Sequence, residues 1–194
     1  MKHTWLFILL TISLCAAAQT KTQGIKIANP LVADIEKVAK DYFENFAGIL
    51  GEKISETTNT VEYTSNVTPQ GALESTILQI KSLDNSYSWQ AVMMTTENFA
   101  EAAKKYKELY HKLNGVHLTL QNRKVYQVQG AYDSPNESKS FASSLLEAKG
   151  LTENSQRFIV EVALNYLMPD WTVKLYVYEK EDDDAIRPTA SSDY

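Results

Sequence analysis

The amino-acid sequence predicts an α+β fold: an antiparallel sheet with two amphipathic helices on one face, built from a pseudo-duplicated α-β-β-β unit with a helical insertion in the second copy. Three observations point there. Residues Asp34 to Gly51 and Asn98 to Gly115 carry apolar side chains in the same helical register. Each of these segments is followed by stretches that alternate apolar and polar residues, the period of a half-buried strand. In each half a tryptophan, Trp89 or Trp171, opens the return arm of a hairpin.

The first helical segment places Ile35, Val38, Ala39, Tyr42, Phe46 and Ile49 on one face; the second does the same with Phe99, Ala102, Ala103, Tyr106, Tyr110 and Leu113. Residues 39, 40, 42, 44 and 51 recur as 103, 104, 106, 108 and 115. Gly51 and Gly115 are read as the left-handed residues that end the helices. Asn98 with Glu101 reads as a capping box. After the first helix, Val61-Glu62-Tyr63 is a short strand, and Ser75–Lys81 pairs with Trp89–Thr95. After the second, Val116, Leu118 and Leu120 alternate with polar residues, with Lys124–Gln129 as antiparallel partner. Within 134–154, Phe141 to Leu146 suggests the inserted helix. Arg157–Leu164 and Trp171–Glu179 then form the second hairpin, turning at residues 165–170. The expected half-repeats are 34–96 and 98–180, sharing one core because neither alone buries enough surface.

The ends read differently. Met1-Lys2-His3-Thr4, an apolar run from Trp5 to Leu14 and Ala16-Ala17-Ala18 form the three parts of a secretory signal peptide over residues 1–18. The apolar run is shorter than the roughly 20 residues a membrane span needs. A rival reading makes Cys15 a lipid-carrying cysteine, but the small residue wanted before it is replaced by Leu14. Export to the periplasm or medium is therefore expected, with 19–33 as a flexible lead-in and 181–194 as a disordered acidic tail. Loss of residues 1–18 removes Lys2 and no acid, leaving 18 basic residues against 24 acidic ones.

An acidic chain of pI near 5.3 argues against a nucleic-acid partner. Cys15 is the one cysteine, so its removal excludes thiolate chemistry, zinc thiolate sites and disulfides from the remaining chain. His111 and His117 flank the Gly115 turn without a helical histidine pair or a third ligand at metal spacing, and read as surface residues. No nucleophile elbow or glycine-rich phosphate loop is present. No catalytic residue, cofactor or metal is therefore nominated. The last strand instead alternates Trp171, Val173, Leu175 and Val177 with Thr172, Lys174, Tyr176 and Tyr178. If helices cover the first set, Tyr176, Tyr178 and Lys174 lie on the open face as candidate binding residues, since tyrosines offer large area and a hydrogen-bonding tip.

The doubled layout resembles that of secreted inhibitor and adaptor modules such as the β-lactamase inhibitory proteins, a likeness of arrangement that assigns no residue a role. The expected function is an exported, non-enzymatic binding module of the bacterial cell envelope that holds a protein, peptide or glycan. The alternatives are a small secreted hydrolase with a site between the halves, and a carrier of a small apolar ligand.

Overall fold

The structure is a computed structural model that describes residues 29–82, 85–120, 124–149 and 158–180. The expectations for residues 1–28 and for the tail 181–194 lie outside the described residues. Among the described residues, α1 (Pro30–Asp41) leads through two 3-10 turns (Tyr42–Glu44 and Ala47–Ile49) into β1 (Leu50–Glu56), β2 (Thr60–Ser65), β3 (Glu74–Ile80) and β4 (Ser86–Thr96). Then come α2 (Phe99–Leu113), β5 (His117–Thr119), β6 (Val125–Gln129), β7 (Phe141–Lys149), β8 (Phe158–Leu167) and β9 (Asp170–Glu179). The strands form an open antiparallel sheet of nine, in the order β1-β2-β3-β4-β9-β8-β7-β6-β5. The strand that closes each half of the chain thus lies at the centre, β4 beside β9, and the strand that opens each half lies at an edge.

Both helices contribute to one core with the same face of the sheet. Ile35, Val38 and Ala39 of α1 and Ala102, Tyr106, Leu109 and Leu113 of α2 are buried with Trp89, Val160, Val162, Val173, Leu175 and Val177. The Trp89 indole N–H donates to Ser65 Oγ at 2.9 Å, so this large side chain is buried without losing its hydrogen bond. Among the described residues every buried side-chain nitrogen or oxygen has a partner. No helix among them is long and apolar enough to cross a membrane.

The local signals for α2 act much as expected. Asn98 Oδ1 accepts from the N–H groups of Ala100 and Glu101, at 2.9 and 3.3 Å. The Glu101 carboxylate, however, takes the Thr96 hydroxyl at 3.3 Å, and Thr96 Oγ1 in turn accepts the Asn98 N–H. Gly115 follows the helix at φ +81, a conformation that costs a side-chain-bearing residue free energy.

Three expectations need correction. The inserted helix is absent: Phe141–Lys149 is strand β7, paired with β8 in unbroken register from Phe141↔Asn165 to Glu147↔Ile159. Its buried residues fall at every second position, Ala142, Ser144 and Leu146, and the buried Ser144 hydroxyl pairs with Tyr106 Oη at 2.7 Å. A partner supplied by α2 thus makes a polar residue suitable for the core face, which the bare pattern Ala-Ser-Ser-Leu-Leu does not reveal.

Gly51 does not end a helix but lies in β1. The reversal is made earlier, by Asn45 and Phe46 at φ 54 and 60, with the Asp41 carboxylate accepting the Ile49 N–H at 3.0 Å. The positive φ of Phe46 is offset by burial of its ring against Tyr42. The unit is also longer than α-β-β-β: β1 and β7 bring the halves to four and five strands. Helix α1 begins at Pro30 behind the N-cap Asn29, a position proline tolerates because its missing N–H would have no helical partner.

Candidate functional site

The alternation of β9 is fully resolved between its two neighbours. Trp171, Val173, Leu175 and Val177 point into the helix-covered core, and Thr172, Lys174, Tyr176 and Tyr178 lie half-buried on the other face, over which neither described helix packs. Antiparallel register sets their cross-strand neighbours. Lys174 stands between Val92 of β4 and Ala163 of β8, Tyr176 between Gln90 and Glu161, and Tyr178 between Ser88 and Ile159. The rows continue outward: Gln90 faces Thr76 of β3, Ser88 faces Leu78, and Glu161 faces Leu145 of β7. The structure therefore places the three sequence-predicted residues together, in the middle of a broad sheet face.

They form a hydrogen-bonded surface with residues from four other strands or their flanks. On one side, Lys174 Nζ donates to Gln90 Oε1 at 3.4 Å, and Gln90 Nε2 donates to Thr76 Oγ1 at 2.9 Å. On the other, Glu161 holds both carboxylate oxygens in use: Oε1 accepts from Ser143 Oγ at 2.5 Å and Oε2 from Tyr178 Oη at 2.8 Å. Tyr176 hydrogen-bonds the side chain of Asn165.

Burial raises the pKa of Tyr176, the Glu161 charge adding to the effect and the Asn165 hydrogen bond opposing it. Burial likewise raises Tyr178, reinforced by the charge of Glu161 and by the hydrogen bond donated to it. Both phenols stay protonated at neutral pH and act as donors or acceptors, never as phenolates. Around this polar centre the same face carries exposed apolar side chains: Ile80 on β3, Leu145 and Phe141 on β7, and Val125 on β6.

Glu161, Gln90, Ser143 and Asn165 are members of the surface that sequence reasoning missed. The signal for Glu161 and Asn165 was available in part. Val160, Val162 and Leu164 alternate with Ile159, Glu161, Ala163 and Asn165, which puts the two polar residues on the open face of their own strand. Which strand lies next to which is not encoded in that alternation. The two histidines stand apart from this surface. His111, exposed on α2, stacks on Tyr132 with ring planes 17° apart, and His117 is exposed on the edge strand β5. Among the described residues no group of three or more His, Cys, Asp or Glu is arranged to hold a metal ion.

Comparison with protein-family models, with curated proteins and with solved structures finds no match for this chain.

Proposed function

We propose that the protein is an exported, non-enzymatic binding module of the bacterial cell envelope that holds a protein or glycan partner on the open face of its sheet. The observation that carries this reading is the joint placement of Lys174, Tyr176 and Tyr178 on the central strand of a face without helices, within a hydrogen-bonded surface drawn from β3, β4, β7 and β8. Neutral phenols, an amide pair and an ammonium group supply donors and acceptors over a flat area, and the flanking apolar side chains supply area to bury. Glu161 supports a scaffolding role over an acid–base one, because both of its oxygens already accept hydrogen bonds from neighbouring hydroxyls. Export rests on the three-part N-terminus of residues 1–18. We also infer that the two halves descend from one copied unit. The matched helix register and the central pairing of β4 with β9 support this.

The test is capture of partner from periplasmic or culture extract, together with retention on a panel of immobilised glycans. Tyr176→Ala combined with Lys174→Glu should weaken retention by about thirtyfold, the cost of truncating a central aromatic contact. Its melting temperature should fall by several degrees, because Tyr176 is half-buried and Lys174 donates to Gln90, while its circular dichroism stays that of the folded protein. Unchanged retention by the folded double variant overturns the assignment of this face.

A further inference from the structure

The apolar groups of the open face are hidden at its centre and exposed at its flanks. On the three central strands, β4, β9 and β8, Val92, Ile159 and Ala163 point to this face yet are only 9%, 0% and 1% exposed. The accessible surface there belongs to the half-buried Gln90, Lys174, Tyr176, Tyr178, Glu161 and Asn165. The exposed apolar side chains, Ile80, Leu145, Phe141 and Val125, stand on β3, β7 and β6, outside the centre. A protein interface has the opposite plan, an apolar middle depleted of charge inside a polar rim. A polar middle suits a ligand that is itself polar along its whole length.

We propose that this face binds an uncharged oligosaccharide laid across the central strands, an inference that rests on the open-face reading and names its ligand. Hydrogen-bonding capacity is the first argument. Glu161 spends one lone pair on each oxygen, for Ser143 and Tyr178, and has a second on each. Gln90 accepts one bond from Lys174 and donates one to Thr76, which leaves a further acceptor and a further donor position on its amide. These mutual bonds hold the groups in place before a ligand arrives, so less ordering is needed on binding. Donors and acceptors side by side are what sugar hydroxyls need, since each is both. Charge is the second argument. In the rows of Gln90 and Lys174 across β4, β9 and β8, the charged side chains are Lys174 and Glu161, which cancel and give no attraction for a polyanion. Spacing is the third. Gln90, Tyr176 and Glu161 occupy one cross-strand row, with Thr76 beyond Gln90, at intervals of about 4.8 Å. That interval is close to the advance of an extended glycan per pyranose ring, which gives one ring to each strand. Tyr176, in the middle of the row, offers ring surface to the C–H groups of a sugar and a hydroxyl to its edge.

The experiment titrates the protein with four neutral hexasaccharides, the β-1,4-linked hexamers of glucose, N-acetylglucosamine and mannose and the α-1,4-linked hexamer of glucose. Their monosaccharides and a sulfated heparin hexasaccharide serve as comparisons, and the NMR signals of the Gln90 and Asn165 side-chain amides and of the Tyr176 ring are followed. At least one neutral hexamer should shift these signals together and bind at least about tenfold more tightly than its monosaccharide. The heparin fragment should leave them in place. Gln90→Leu and Lys174→Met should each weaken the favoured hexamer by about fivefold, with the circular dichroism of the folded protein retained. The proposal is overturned if no neutral hexamer shifts the signals at concentrations on the order of 10 mM. It is equally overturned if the heparin fragment matches the hexamers, or if a folded Gln90→Leu, Lys174→Met double variant binds unchanged. Silence of all the hexamers, with a protein captured from extract and lost on combining Tyr176→Ala with Lys174→Glu, removes the glycan and leaves the open face as a binding site. Silence of the hexamers with no such capture removes both.

Discussion

Tyr178 illustrates how one side chain serves the core and the open face together. Its ring is half-buried between Ser88 and Ile159, and its hydroxyl donates to Glu161 at 2.8 Å. A hydrogen bond to a charged acceptor in such surroundings contributes about 1.5–3 kcal/mol, and more is lost when an acceptor is left partly unsatisfied. Tyr178→Phe should therefore destabilise the protein by about 2 kcal/mol in urea denaturation, whereas Tyr176→Phe, whose hydroxyl meets a neutral amide, should cost about 1 kcal/mol. Tyr178 is for this reason a poor choice for testing recognition alone, and Tyr176 with Lys174 is the better pair. A buried counterpart exists on the core face: Tyr106 is pushed up to about 12, chiefly by burial, and its hydroxyl pairs with Ser144. Sequence reading reached the tyrosines because parity along β9 is a local property. Glu161 was within reach through parity along β8, but its partnership with Tyr178 depends on two strands being neighbours.

At the level of elements, two contacts tie distant segments to their places. Glu36 of α1 accepts the main-chain N–H of Thr119 in edge strand β5 at 3.1 Å, joining the first helix to the far border of the sheet. A hydrogen bond from the Thr119 side chain lowers the Glu36 pKa from its ordinary 4.5, with help from the Thr119 main chain and Lys40 and against partial burial. A lowered carboxyl pKa stabilises the fold above the ordinary value, and the contribution fades as pH falls through the folded value. The stability gap between wild type and Glu36→Gln should be about 1 kcal/mol at neutral pH and should close progressively below pH 4.5, as read from denaturation midpoints across that range.

Gly130, just past β6, is the second case. A Cβ there would lie 1.7 Å from the Leu145 carbonyl oxygen, a backbone atom that cannot swing aside. Gly130→Ala should cost about 3 kcal/mol and lower the melting temperature accordingly, since the β6 and β7 backbones must part. The elements differ in how readable they are. Helix α2 has a cap, an apolar stripe and a terminal glycine, and its identity follows from these. Strand β1, Leu-Gly-Glu-Lys-Ile-Ser-Glu, is exposed along most of its length and so has no apolar alternation to betray it. Strand β7 buries Ser144 where a hydrophobic residue would have revealed its period.

The molecule as a whole is bound together at β4, β9 and β8, where Trp89, Val160, Val162, Val173, Leu175 and Val177 meet both helices in one core. Unfolding should consequently be a single cooperative transition. Amide hydrogen exchange should be slowest in these three strands, and separate chains spanning residues 29–97 and 98–180 should lack stable tertiary structure. Independent folding of either piece, seen as a dispersed NMR spectrum, contradicts this picture. Strand order was the part of the fold least accessible to sequence, because it is decided by contacts between residues far apart in the chain. The two borders of the sheet carry a consequence of their own. Strand β5 spans only His117–Thr119 and has its Thr119 N–H claimed by Glu36, while β1 is broken by two register shifts and bears Glu52, Lys53 and Glu56. Short, kinked and charged margins discourage the zipping-on of an additional extended chain. A partner on the proposed face would therefore lie flat against it like a tile, recognised by its contour and by the spacing of its polar groups, and not be stitched into the hem of the sheet.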